Sequence, residues 1–487
     1  MKMKTVKELV AKVDTLRIEG TLDQLVQGLA FDSRKVESGF AFFAIGGTHI
    51  DGHQFISKAV ECGASVIICE VMPETISNKV TYVQVGDSSI ALGFMASEFY
   101  GNPSQKLKLY GVTGTNGKTT TATLLYRLAL QLGYKAGLIS TISYRINDEE
   151  LPATHTTPDQ LQLHSMMGKM VEVGCEYCFM EVSSHSIDQN RIAGLDFDGA
   201  IFSNITHDHL DYHKTFDAYI KAKKKFFDDL KPEAFALTNV DDKNGNVMLQ
   251  NTKAKKLTYS LRTMSDFKCK ILESHFDGML LNIDNEEVWT HFVGRFNAYN
   301  LLAVYGAAVS MGFAKTDVLV AISQMLPVDG RFEVFRSVTG TYAVVDYAHT
   351  PDALENVLST IAEIRTKNEQ VICVAGAGGD RDKTKRPEMA AIACKLSDKV
   401  ILTSDNPRTE NPIDILKDME AGVDAVSKKK VLTIPDRREA IKTAAMLANP
   451  GDIILIAGKG HENYQEINGV KHHFDDREEV KKVFELI

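Results

Sequence analysis

Nine short apolar runs, each giving way to Gly, Ser, Thr, Asn or Asp, constrain this chain more than any other feature. Five lie in its middle: KLYGVTG, AGLISTI, YCFMEVSS, GAIFSNI and AFALTNV. Four lie near its end: YAVVDYAH, QVICVAGAGGD, KVILTSDNP and DIILIAGKGHE. Runs this short and this uniformly apolar suit strands buried on both faces. Amphipathic helical patterns separate them, so the expected class is α/β, with parallel sheets covered on both sides. In such sheets ligands gather at the carboxyl ends of the strands. Those ends hold nearly all the chemically unusual residues of this sequence.

Two Pro/Gly-marked breaks, YGNPSQK and MLPVDGRFE, divide the 487 residues. Three domains are expected, over residues 1–104, 105–328 and 329–487. The chain is 44% hydrophobic with a formal net charge of −9 and carries no long Lys/Arg run. This composition supports buried cores and argues against nucleic acid as a partner. No apolar run approaches the roughly 20 residues needed to span a bilayer, so no membrane insertion is expected. The basic start, MKMKTVKELVAKV, reads as a short amphipathic helix rather than a cleavable leader. Seven cysteines without framework spacing fit a reducing, cytoplasmic setting. The close pair Cys175 and Cys178 reads as core thiols. A monomer is expected.

The run KLYGVTG continues as TNGKTTT, a strand–glycine loop–helix pattern that resembles a phosphate loop. The usual spacing, G-x-x-x-x-G-K-[ST], would put its first glycine at Val112; the glycines here are Gly111, Gly114 and Gly117. The physical requirements are met nonetheless. A strand ends at Thr113, flexible residues can turn N–H groups toward phosphates, and a helix starting near Lys118 presents its positive end. Lys118 would meet the terminal phosphates and Thr119 would offer a hydroxyl to Mg²⁺. The alternative is a glycine-rich turn without a ligand.

Glu181 interrupts an apolar strand, where a charge is costly unless paired or metal-bound. A structural salt bridge is the alternative. Downstream, SNITHDHLDYH places His207, His209 and His213 among Asp208 and Asp211. This spacing fits no zinc site. A single histidine with Glu181 and ATP phosphates suits Mg²⁺ better.

These stretches, with GRFNAYN, DGRFE and VDYAHTPDALE in the same order, resemble the Mur ligases, ATP-dependent enzymes that add amino acids during peptidoglycan synthesis. The loop with unusual spacing is similar to that family's own form, GTxGKT. The resemblance implies an N-terminal uridine-nucleotide module, a central P-loop ATPase domain and a C-terminal Rossmann-like domain. It implies that Gly114, Thr115, Asn116, Gly117, Lys118, Thr119 and Thr120 cradle ATP. Asn297 and Asn300 would line the nucleotide side, and Arg331 and Asp346 would close over it. Thr119, Glu181, His209 and Lys223 would surround Mg²⁺, with Lys223 carried as a carbamate. Lys118, Lys223, Glu181 and His209 are the implied catalytic set.

The last third resembles members that add meso-diaminopimelate to a UDP-N-acetylmuramoyl-dipeptide. Asp405, Asn406, Pro407 and Arg408 match their signature, and Arg381, Gly458 and Glu462 match other contacts to the amino acid. A guanidinium can grip the distal carboxylate of diaminopimelate and repel the bare ammonium of lysine. Phe31, Ser33, Thr48, His49 and Ile50 resemble positions near the uracil and diphosphate. Thr156, Thr157, Ser183, Gln189 and Arg191 resemble those contacting the muramoyl-dipeptide. Two other readings stand beside this one. A lysine-adding ligase would share most of these motifs. A P-loop ATPase switch would hydrolyse ATP with no amino-acid acceptor.

Overall fold

All nine runs form strands in the computed structural model, which describes residues 3–47, 50–206, 210–366 and 368–486. They belong to two of its three large sheets; the third, N-terminal sheet has five strands. It runs Thr15–Glu19, Thr81–Val85, Val66–Cys69, Phe40–Phe43, Gly28–Ala30, and only its first pair is antiparallel.

The central sheet has eleven strands among the described residues. Lys108–Thr113 lies between Tyr177–Glu181 and Gly199–Phe202, parallel to both. The chain leaves Lys108–Thr113, forms the helix Lys118–Gln131 and lays down Ala136–Ile139 two strands away. It then returns with Tyr177–Glu181, crosses to the other side and continues with Gly199–Phe202 and Phe235–Asn239. This reversal opens a crevice beyond Thr113, Glu181 and Phe202, where ligands of such sheets bind.

The C-terminal sheet has six strands: Glu333–Arg336, Tyr342–Asp346, Ile453–Ala457, Val371–Ala377, Lys399–Ser404 and Val431–Thr433. All pairs but the first are parallel. The ends at Asp346, Ala457, Ala377 and Ser404 therefore lie side by side.

Strand periodicity explains why each run is apolar throughout. In the central sheet Tyr110, Val112, Phe179 and Ile201 pack into one core, while Leu109, Cys178, Met180 and Phe202 pack into the core on the opposite face. Val371, Cys373 and Ala375 likewise oppose Ile372 and Val374. Successive side chains alternate between faces, so two buried faces need an unbroken apolar run. Cys175 and Cys178 are buried free thiols, as the sequence indicates, and burial pushes both upward in pKa.

The N-terminus differs from the sequence reading. Its helix is one turn, Val6–Leu9, after a two-residue strand that pairs with Leu25–Val26. Thr5 and Glu8 cap each other reciprocally and set that start. The strands Ser143–Ile146 and Glu149–Pro152, and the antiparallel ribbon Phe267–Thr290, lie outside the nine apolar runs, because hairpins with exposed positions carry a weaker apolar signal. No helix among the described residues is long and apolar enough to cross a membrane.

Candidate active site

The loop after Thr113 is shaped by close approach. Gly114 and Gly117 have φ of +150° and +85°, and a Cβ would fall 1.9 Å from Ser203 Oγ and 2.4 Å from Asn300 Oδ1, respectively. Glycine is the residue that fits both places. The neighbouring strand end holds the loop: Thr115 N donates to Asn204 O at 2.8 Å and Asn116 N to Asn204 Oδ1 at 3.0 Å. Helix Lys118–Gln131 starts directly after Gly117, and Lys118 Nζ curls back to Gly114 O and Thr115 O at 3.0 and 2.9 Å. The ammonium thus lies over the loop mouth, at the positive end of the helix.

Two buried groups stand near this loop on neighbouring elements. Glu181 is wholly buried; its Oε1 accepts from Thr141 N at 2.8 Å, and its Oε2 has no hydrogen-bond partner among the described residues. A buried carboxylate oxygen left this way is the donor chemistry of a hard cation site. Lys223, also buried, points its Nζ at Gly114 O, 2.9 Å away. The helix Phe216–Asp228 selects it. Lys221 pairs with exposed Asp217, Lys224 with Asp228, and Lys225 donates to Asn190. His209, with His207 and Asp208, lies outside the described residues.

The segment after the second break reaches the same loop. Arg331 Nη2 donates to Thr119 Oγ1 at 3.3 Å and its guanidinium lies 4.5 Å from the centre of the Tyr347 ring. Asp346 accepts from Phe332 N at 2.7 Å, and burial lifts its carboxyl to about 6 against the pull of Arg331. Asn300 Nδ2 donates to Asn297 Oδ1, and Asn297 Nδ2 in turn to Val293 O, fixing both amides beside Gly117.

The residues that follow these strand ends in the C-terminal sheet form a polar cluster. Asn406 Nδ2 donates to Glu462 Oε2 at 2.7 Å, and Tyr347 OH donates to Glu462 Oε1 at 3.4 Å. Gly458 has φ +123°, and a Cβ there would meet Asp405 Oδ2 at 2.6 Å. Arg408 adopts φ +51°, donates from Nη1 to Gly379 O at 2.7 Å and stands 3.6 Å from Glu466 Oε2. Pro407 packs its carbonyl on Gly379, where any Cβ would come within 1.9 Å.

Family models match along nearly the whole chain: the Mur ligase family catalytic domain over residues 25–100, the Mur ligase middle domain over 112–308, and the Mur ligase glutamate ligase domain over 330–460. The chain belongs to the Mur ligase family. Mur ligases are ATP-dependent enzymes that form amide bonds. A Bacteroides fragilis protein named UDP-N-acetylmuramoyl-L-alanyl-D-glutamate–2,6-diaminopimelate ligase is 58% identical, over 99% of each chain. A Geobacillus kaustophilus protein of the same name is 44% identical, over 93% of each. A solved structure of a ligase with that name superposes with a TM-score of 0.71 at 35% identity, covering 100% of this chain and 99% of the other.

In this Mur ligase the expected nucleotide residues Asn300 and Arg331 reach the loop over residues 114–120 directly, with Asn297 packed behind the first and Asp346 behind the second. Thr157, Ser183, Gln189 and Arg191 form a second group. Thr157 Oγ1 donates to Glu181 O at 2.8 Å, and Arg191 donates to Thr157 O at 2.9 Å and to Gln189 Oε1 at 2.6 Å. Thr156 joins through Thr141 Oγ1, 3.0 Å away. Ser33 is buried, whereas Phe31 and Ile50 are exposed; Thr48 and His49 lie outside the described residues. Arg381 is exposed and donates to Asp380 O.

Lys459 and Tyr347 were not singled out in the sequence. Both sit inside motifs that were, GKGHE and VDYAH, yet only the packing shows Tyr347 bridging Glu462 and Arg331. Lysine is among the residues least often buried, so nothing local marked Lys459 as a wholly buried one.

Proposed function

We propose that this protein joins meso-2,6-diaminopimelate to UDP-N-acetylmuramoyl-L-alanyl-D-glutamate at the expense of ATP, as a cytoplasmic, monomeric enzyme of peptidoglycan precursor synthesis. Residues 1–104 hold the uridine nucleotide, 105–328 hold ATP, and 329–487 hold the incoming amino acid. The observation that carries the choice of amino acid is Arg408, held in a left-handed turn against Gly379 beside Asp405, Asn406 and Glu462.

The reaction activates a poor electrophile. The side-chain carboxylate of the D-glutamyl residue attacks the γ-phosphorus of ATP, ADP leaves, and an acyl phosphate forms. An amine of diaminopimelate then attacks the acyl carbon, and the tetrahedral adduct expels phosphate to leave the amide. Lys118 and the N–H groups at the helix start neutralise charge on the transferring phosphoryl group. Arg331 adds a second cation from the third module, so the full charge set assembles only when the modules close. Closure also excludes water, which would hydrolyse the acyl phosphate.

Thr119, Glu181 and a carbamate on Lys223, with His209, would hold Mg²⁺. The orphaned Glu181 Oε2 fits that role, and an unmodified ammonium beside the loop does not. The ion would supply charge neutralisation on the phosphates.

Arg408 would pair with the distal carboxylate of diaminopimelate, a partner that lysine lacks. The test is phosphate release from MgATP and the UDP-muramoyl-dipeptide with each amino acid in turn. Arg408→Ala should lower kcat/KM for diaminopimelate by about 10²-fold, the scale of a lost buried charge contact, while ATP affinity holds. Preferential turnover of lysine by the unaltered enzyme would instead support the lysine-adding reading. Phosphate release that ignores every amino acid would point to an ATPase switch.

A further inference from the structure

Lys459 is a fully buried cation beside Asn406 and Glu462, the residues that the reading above gives to the incoming amino acid and its ammonium. Its Nζ donates to Asn406 Oδ1 at 3.1 Å and to Glu462 Oε2 at 3.2 Å, and stands 3.8 Å from Asp405 Oδ1. The ring of Tyr464 lies 5.5 Å away. The backbone drives the side chain inward. Gly458 and Gly460 flank it with φ of +123° and +51°, and Cβ atoms there would strike Asp405 Oδ2 and Gly330 O, each at 2.6 Å. Below, the buried Arg437–Asp476 pair fixes the strand end that precedes this turn, Arg437 Nη2 donating to Ala457 O at 3.0 Å.

Two consequences follow from this placement. Glu462 Oε2 is taken up by Asn406 and Lys459, which turns Oε1 toward the pocket beside Tyr347. Lys459 also offsets part of the negative charge of Asp405 and Glu462, so this pair presents less of it to an incoming ammonium. We propose that Lys459 is a specificity-determining positioning residue, which orients Glu462 and limits the pocket's negative charge so that a bare ammonium is not favoured over a zwitterionic end. This rests on the amino-acid reading above. The distal end of diaminopimelate carries an ammonium and a carboxylate; that of lysine carries only the ammonium. An excess negative charge would attract the second and repel the carboxylate of the first.

The experiment compares the full-length enzyme with its Lys459→Met and Lys459→Arg variants, measuring kcat and KM for diaminopimelate, lysine and ATP. In Lys459→Met the ratio of kcat/KM for diaminopimelate over lysine should fall by at least about tenfold, mainly through KM, as expected for loss of one close buried charge contact. Lys459→Arg should keep the ratio within about threefold, and the KM for ATP should stay within about twofold in both. A purely structural lesion would lower turnover of both amino acids together and leave the ratio fixed. A Lys459→Met enzyme with wild-type thermal unfolding and an unchanged ratio would overturn the proposal. If that variant does not fold, Lys459→Gln takes the same test with the same outcomes. Failure of the amino-acid reading itself shows separately, as a wild-type enzyme that does not prefer diaminopimelate.

Discussion

Arg331 Nη2 donates to Thr119 Oγ1 at 3.3 Å, joining residues 212 positions apart in sequence. One belongs to the second Pro/Gly break itself, the other to the first turn of the helix Lys118–Gln131. The same guanidinium lies over Tyr347, whose hydroxyl donates to Glu462. The glycine loop and the cluster of Asn406 and Glu462 are therefore connected through two side chains.

Removing that cation should act on both substrates. Arg331→Ala is expected to lower kcat/KM for ATP by about 10²- to 10³-fold, the scale of losing one donor to a developing charge. Arg331→Lys should recover only part of it, because an ammonium lacks the planar fork. Steady-state kinetics with ATP varied at saturating diaminopimelate give the comparison, and near-wild-type activity in the alanine variant would remove Arg331 from the site.

Gly117→Ala should weaken nucleotide binding while leaving the fold in place. Its φ of +85° is strained for alanine, and the new Cβ would lie 2.4 Å from Asn300 Oδ1. Strain of this kind costs about 1–3 kcal/mol locally, which a chain of this size can absorb. Calorimetric titration with ADP should show a Kd raised more than about tenfold, with circular dichroism unchanged.

For Lys223 the expected outcome depends on its modification. Lys223→Ala removes the group facing Gly114 O and should reduce turnover by about 10²-fold or more, as losing a charge-stabilising group does. Added acetate, which offers similar oxygens, should restore a measurable part. Restoration by neutral acetamide to the same degree would contradict the carbamate.

The pH dependence of stability should carry the mark of His164. Burial holds this imidazole near 4, well below its usual 6.5, outweighing the pull of the Ala193 backbone. Between these values the unfolded chain binds a proton that the folded chain does not, so stability is complete above about pH 6.5 and falls as pH drops toward 4. The contribution is on the order of 3 kcal/mol. His164→Met should flatten this limb in urea titrations at pH 7 and pH 5 and leave all KM values unchanged. A limb of unchanged slope would assign the acid sensitivity elsewhere.

The nine apolar runs, the GTNGKTT loop and the DNPR turn were legible because each depends on local chemistry. Two-sided burial demands uninterrupted apolar residues, a left-handed or crowded backbone demands glycine, and phosphate demands a lysine at a helix start. Those rules act over a few residues, and the sequence alone determined the α/β class, the loop and the family likeness through them. Which of four clustered lysines faces the loop, that Glu181 keeps one oxygen unpartnered, and that Arg331 touches Thr119 were decided only by tertiary packing. Lys459 shows why: a lysine next to glycines reads as a solvated turn, and becomes a buried counter-charge only when the neighbouring strand end brings Asp405 and Asn406 beside it. Burial and pairing over such separations are properties of the assembled sheets, and no short stretch of chain contains them.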